Sequence, residues 1–247
     1  MDTLPSDSPV AVALTDAIRR GELPMLQRLL ADHSGLATAR IAGSDGCQRT
    51  PLHVATDWPG YFPNGPAVVG LLLAAGADPN APAAGAAAGH AETPLHWAAS
   101  TDDSDVAAAL IEGGADLEAP GASIAGGAPL DDAVGYGCWH VARLLVARGA
   151  RVEELWKAAA LGVQSRVMEL VEGDLPPNED ELNHAFWQAC HGGQRRTAEY
   201  LLSRGADINA VPGHTDQTPL DIAGSPGTRR DTLTDWLRGH GAISRGP

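Results

Sequence analysis

An all-α solenoid of stacked helix-turn-helix repeats with hairpin-like finger loops is the fold class this 247-residue chain predicts, and three observations predict it. A phrase recurs in register: Thr50-Pro51-Leu52-His53-Val54-Ala55, Thr93-Pro94-Leu95-His96-Trp97-Ala98-Ala99, Ala128-Pro129-Leu130-Asp131-Asp132-Ala133 and Thr218-Pro219-Leu220-Asp221-Ile222-Ala223. The first three are followed by a leucine-rich segment and a closing Gly-Ala, at Gly76, Gly114 and Gly149, and Gly205-Ala206-Asp207 closes a repeat whose opening has decayed. The spacing is also fixed, with 21 residues from opening to closing glycine in the pairs 93 and 114, 128 and 149, and 184 and 205. A fixed offset at this period is the signature of stacked supersecondary units. None of that size buries its apolar stripe alone.

Each part of the repeat has a physical reason. Threonine caps the free N–H groups of a starting helix, and proline is tolerated at its first position. The glycine of Gly-Ala-Asp supplies the left-handed residue that ends the second helix. Between them Val68, Val69, Leu71, Leu72 and Leu73 supply the stripe to be buried. The decayed repeat opens His184-Ala185-Phe186-Trp187-Gln188-Ala189-Cys190. Weaker ones fit at Val12-Ala13-Leu14 with Gly21 and at Leu155-Trp156-Lys157-Ala158-Ala159 with Gly162.

With these residues in place the chain resembles ankyrin repeat proteins over roughly residues 10–243, in about seven repeats including degenerate caps. The divisions are 10–42, 43–82, 83–120, 121–152, 153–178, 179–211 and 212–243, forming a single domain. A disordered segment is expected at 1–9 and a frayed tail at 244–247. The resemblance implies that His53 and His96 hydrogen-bond between neighbouring repeats. Asp131 and Asp221 stand in their place in two repeats, where a short acceptor can make the same kind of backbone bond.

Composition narrows the function. Lys and Arg number 17 against 31 Asp and Glu, a net charge of −14. A nucleic-acid binder needs a basic stripe instead. Three cysteines, Cys47, Cys138 and Cys190, match neither a disulfide framework nor a zinc motif, and free thiols fit a reducing, cytoplasmic compartment. No apolar signal core or membrane-length run is present. Lys157 is the sole lysine, an arginine bias that points to a GC-rich, bacterial genome.

Departures from the repeat are more informative about function, because insertions in such arrays map to loops on one face. The second repeat closes late, and about five added residues lie in Asp57-Trp58-Pro59-Gly60-Tyr61-Phe62-Pro63-Asn64-Gly65-Pro66. These aromatics either tuck over their own helix ends or anchor a partner, where Trp and Tyr dominate hot spots. The finger 81–92 is long, rich in small residues and expected to be mobile. A deletion at Gly149–Glu154 and a ragged closure at Glu172–Pro177 predict altered stacking mid-chain, with Trp156 and Trp187 filling the changed core.

Chemistry is sparse. Asp132, Tyr136 and His140 are near in sequence and offer acid–base groups, but Gly135 and Gly137 argue against one continuous helix there. His184 with Cys190-His191 is too few donors for zinc. No phosphate-binding glycine loop or Gly-x-Ser-x-Gly elbow occurs, so neither cofactor nor metal is expected.

The resemblance implies a protein-binding scaffold rather than an enzyme. The contact residues this points to are Asp57, Trp58, Tyr61, Phe62, Thr101, Asp102, Asp103, Asp132, Tyr136, Trp139 and His191, facing a basic protein partner. The chain is expected to be a monomer. Two alternatives stay open at this point: an immunity protein that masks a toxin or enzyme, and a small-molecule or enzymatic protein that uses the groove as a pocket.

Overall fold

The computed structural model describes residues 3–44, 46–85, 91–223 and 231–246. They pack as two compact blocks, Met1–Ala150 and Arg151–Pro247, where the repeat pattern leads one to expect a single domain. The division falls at the deletion noted above.

In the N-terminal block a strand β1 (Thr3–Pro5) precedes helices α1 (Pro9–Arg19) and α2 (Leu23–Asp32). Strands β2 (Arg40–Ala42) and β3 (Gln48–Arg49) follow. β1 pairs parallel with β2 through Leu4 and Ile41, and β2 pairs antiparallel with β3. This small sheet replaces the disorder expected at 1–9: residues 3–5 satisfy their backbone groups on the first finger, and Ser8 caps α1 by accepting from Ala11 N at 3.4 Å. Three helix pairs complete the block. They are α3 (Pro51–Thr56) with α4 (Gly65–Ala74), α5 (Pro94–Thr101) with α6 (Ser104–Glu112), and α7 (Pro129–Gly135) with α8 (Trp139–Ala147). Leu14, Leu52, Leu72, Leu95, Leu110 and Leu145 are fully buried, so the leucines of successive repeats form one continuous core.

The C-terminal block holds α9 (Leu155–Leu161), α10 (Gln164–Glu172), α11 (Glu179–His191), α12 (Arg195–Ser203), α13 (Pro219–Ala223) and α14 (Asp231–Gly239). Phe186, Leu201, Leu233 and Leu237 centre its core. The tail is not frayed over its described part. The Ser244 hydroxyl donates to Asp221 Oδ1, and Arg245 N donates to Asp221 Oδ2 at 3.1 Å.

The recurring phrase is a hydrogen-bond device. His53 Nδ1 accepts from Thr50 N at 3.2 Å, which leaves the proton on Nε2 to donate to Glu92 O at 3.0 Å, just ahead of the next phrase. His96 repeats this with Thr93 N (3.0 Å) and Gly127 O (3.4 Å). Burial pushes both imidazoles down to about 4, so they stay neutral. Asp131 and Asp221 keep the local half, accepting from Ala128 N and Thr218 N. Trp187 keeps the bridging half: its Nε1–H donates to Gln217 O at 2.9 Å. The expectation that Trp187 is core holds, at 4% exposure, whereas Trp156 is only partly buried.

The long finger also departs in part from the mobile loop expected of it. Ala83 N donates to Glu92 O at 2.7 Å, and Gln48 bridges to Ala84. Its residues 86–90 lie outside the described part.

Candidate functional site: an aromatic hollow on the second to fourth repeats

Proline and glycine at Pro59, Gly60, Pro63 and Gly65 prevent the insertion from continuing α3, so it crosses to its neighbours as a loop. It is pinned at both ends. Asp57 Oδ2 pairs with Arg19 Nη2 at 2.5 Å and Arg49 Nη1 at 3.1 Å, while Oδ1 accepts from Trp58 N at 2.9 Å. Asn64 Nδ2 donates to Gly21 O at 3.0 Å. Gly21 must be glycine here, because a Cβ would lie 1.9 Å from Pro63 O and the backbone is left-handed. On the other side Tyr61 N donates to Asp103 Oδ2 at 2.7 Å, and its hydroxyl donates to Asp102 O at 2.5 Å. Burial and the Asp102 and Asp103 carboxylates push the Tyr61 phenol above its ordinary range.

The loop therefore presents Trp58 from a fixed backbone, with 79% of the residue in solvent. Beside it lies a hollow of about 260 Å³ walled by Trp58, Trp97 and Tyr136, with Asp57, Glu92 and Thr101 among its polar lining. Trp97 Nε1 donates to Glu92 Oε2 at 3.3 Å, its ring meets His53 edge-on at 4.9 Å, and the Arg49 guanidinium lies 5.8 Å from the ring centroid. Thr101 Oγ1 bonds back to Trp97 O and Ala98 O, and its Cβ and Oγ1 lie against Gly60 of the insertion.

A hydroxyl relay supports the far wall. The Tyr136 hydroxyl is 2.9 Å from Ser123 Oγ, which donates to Asp132 Oδ1 at 2.8 Å, and Ile124 N donates to the same oxygen at 3.1 Å. Asp132 is fully buried, and its Oδ2 has no hydrogen-bond partner among the described residues. Burial pushes its carboxyl above the usual range. It fixes the finger and, through Ser123, the Tyr136 hydroxyl. Burial also pushes the neighbouring Cys138 thiol up to about 11, so no thiolate forms there at neutral pH.

The structure thus brings together Asp57, Trp58, Thr101 and Tyr136 of the residues expected from sequence. Others serve as braces. Asp103 is buried and caps α6 through Val106 N at 3.2 Å, and Asp102 caps α8 through His140 N and Val141 N. As buried groups, Asp103 and Asp132 are not the solvent-facing carboxylates that partner contact requires. Phe62 is partly buried under Arg19, with 5.7 Å from guanidinium to ring. Trp139 is partly buried at the start of α8, and His140, rather than joining Asp132 and Tyr136, pairs with Asp102 Oδ2 at 2.6 Å. His191 lies in the other block against Trp187. Trp97 and Glu92 were not expected from the sequence. A signal existed: the residue after the phrase's fourth position is Val54, Trp97, Asp132, Lys157, Gln188 and Ile222 in turn, varied while the residue that follows it is alanine in all six.

The C-terminal block has its own aromatic group. His184 stacks on Trp156 at 6.1 Å and meets His214 at 5.2 Å, and His214 meets Trp187 at 5.5 Å. Burial and His214 push the His184 imidazole down to about 4. No group of three or more His, Cys, Asp or Glu among the described residues is placed to hold a metal ion, and no described helix is long and apolar enough to cross a membrane.

Known proteins fit this architecture. A family description of ankyrin repeats in three copies matches residues 64–154, and one of a single ankyrin repeat matches 181–211. Among solved structures, the ankyrin repeat domain of Bcl-3, described as a unique member of the IkappaB protein family, is 28% identical. It has a TM-score of 0.53 over 96% of this chain and 100% of that one. The human ASB11 ankyrin repeat domain is 19% identical with a TM-score of 0.51, over 97% of this chain and 99% of that one, a likeness of fold alone. No curated protein matches at the level of sequence. The chain carries ankyrin repeats, assembled as an all-α repeat solenoid.

Proposed function

We propose that this ankyrin-repeat chain is a protein-binding module, and that its contact surface is the inner-helix face of the second to fourth repeats, centred on the Trp58, Trp97 and Tyr136 hollow. The observation that carries the reading is the rigid presentation of Trp58. An indole 79% exposed has no packing role to explain it, yet its loop is held by six side-chain hydrogen bonds and ion pairs, four of them to neighbouring repeats. Preorganisation of this kind lowers the ordering cost of binding. Aromatic anchors in a hollow are where interface energy concentrates.

The partner is a protein with a basic surface, since a net charge of −14 steers cations toward the chain. An immunity or inhibitor protein is the form this takes when the basic surface belongs to a toxin or nuclease. Three cysteines outside any disulfide support a cytoplasmic setting, and we take the working form to be a monomer. Catalysis is not part of the reading: Asp132, whose carboxyl burial pushes above the usual range, is spent on Ser123 and Ile124 N behind the wall.

A tagged pull-down from native lysate, comparing the parent chain with Trp58→Ala/Tyr136→Ala, tests the proposal. A protein retained by the parent and lost from the folded variant is the expected result. Equal retention by both places the contact elsewhere and overturns the site.

A further inference from the structure

Resting on that reading, we infer that the hollow receives one arginine side chain of the partner, its guanidinium lying against the Trp58, Trp97 and Tyr136 rings and toward the Glu92 carboxylate. Size sets the first limit. A hollow of about 260 Å³ is below the range that holds a drug-sized ligand or cofactor, and fits a single side chain. Its chemistry sets the second. Three aromatic faces and two carboxylates line it, and no basic residue does so among the described residues. Aromatic faces attract cations.

Charge at the hollow is not shared evenly. Asp57 already faces two guanidiniums, so it adds little for an incoming cation, and recognition falls first to the rings, with Glu92, which accepts from Trp97 Nε1, at their edge. Behind the Tyr136 wall the buried Asp132, with one oxygen unpartnered among the described residues, adds acceptor character and no opposing donor. The chain carries its own precedent: Arg49 sits over the Trp97 ring while paired with Asp57, a guanidinium placed between this indole and a carboxylate. Arginine is favoured over lysine because a planar, weakly hydrated guanidinium stacks on rings and bonds a carboxylate at the same time, whereas an ammonium is a compact, strongly hydrated charge.

The test is a titration of the full chain with the peptides Gly-Gly-Arg-Gly-Gly, its lysine counterpart and its citrulline counterpart, read at the Trp58 and Trp97 indole N–H resonances. Citrulline keeps the shape of arginine and removes the charge. The expected result is saturable shifts with arginine, binding about fivefold or more weaker with lysine, and no saturation with citrulline. Trp58→Ala abolishes the arginine response without unfolding the chain, since the residue is exposed. Glu92→Gln weakens it about tenfold. No saturable response to arginine, or equal responses to lysine or citrulline, overturns the inference. If the peptide fails while a partner is still lost from Trp58→Ala/Tyr136→Ala, only the arginine assignment falls. If the partner is retained by that variant, the binding surface itself falls.

Discussion

The two blocks use similar rings for opposite purposes. In the N-terminal block the bridges between repeats are made by His53 and His96, both fully buried, and aromatic rings at Trp58 and Tyr136 are left 79% and 54% exposed. In the C-terminal block Trp187 makes the bridge, to Gln217 O, and its ring together with Trp156 is engaged by His184, His191 and His214. Aromatic content therefore says little about function until the structural bonds are assigned. Once histidine carries the bridge, tryptophan is released for contact.

Substitution at the two tryptophans tests this division most severely. Trp187→Ala leaves a large cavity and an unpaired carbonyl at Gln217, and should cost about 3–5 kcal/mol. Trp58→Ala should stay within about 0.5 kcal/mol, as exposed positions do. Urea unfolding gives the totals, and amide hydrogen exchange assigns the loss to residues 151–247 for Trp187→Ala. A loss of similar size at Trp58 would mean that its loop is structural, and the contrast between the blocks would be gone.

Acidification should separate the blocks next. An imidazole held at about 4 in the fold and near 6.5 when unfolded is protonated first in the unfolded chain, so its contribution is complete above about 6.5 and declines down to about 4. At pH 5 each of His53 and His96 should have lost roughly 2 kcal/mol, both in the N-terminal block. His184 is only partly buried and loses less. Asp221, held down at about 2 because bonds from Ser244, Arg245 and Thr218 outweigh its burial, matters only as pH falls below about 4. Asp132 acts in the opposite sense, since a carboxyl raised by burial favours the fold as it takes up a proton. Hydrogen exchange at pH 7 and pH 5 should show the larger loss of protection in residues 3–150. Equal losses in both blocks would remove the special role given to the buried histidines.

How much of this is legible in the chain follows from the range of each interaction. The phrase, its 21-residue closure and the leucine stripe are local or periodic signals, so the repeats could be read directly. Trp58 could be read as well, because proline and glycine around it mark an insertion. Pairings between repeats could not. Tyr61 meets Asp102 and Asp103 across about 40 positions, so residues that resemble a carboxylate rim turn out to be braces. Strand β1 was hidden for the same reason: Thr3–Pro5 carries no strand pattern of its own and pairs with a finger far along the chain. Trp97 was obscured by its place inside the structural phrase, where side chains are expected to serve the fold.

The smallest expected effect lies at the turn between the paired helices. The first, fourth, fifth and sixth repeats place glycine there in the left-handed region, at Gly21, Gly137, Gly162 and Gly193, and the third places Asp102 at φ 57°. An aspartate tolerates that backbone at modest cost. Its carboxylate also accepts from His140 N at 2.9 Å and Val141 N at 3.0 Å, and meets His140 Nδ1 at 2.6 Å, which caps the helix of the next repeat. Asp102→Gly gains backbone ease and loses the cap, so a net loss of about 1 kcal/mol is expected in urea unfolding, and less for Asp102→Asn. Because the Tyr61 hydroxyl is held by the Asp102 carbonyl, which both variants keep, the arginine-peptide response should be unchanged. A variant that unfolds no more easily but loses that response would show that the cap acts on the hollow, and would place Asp102 with the binding surface instead of the frame.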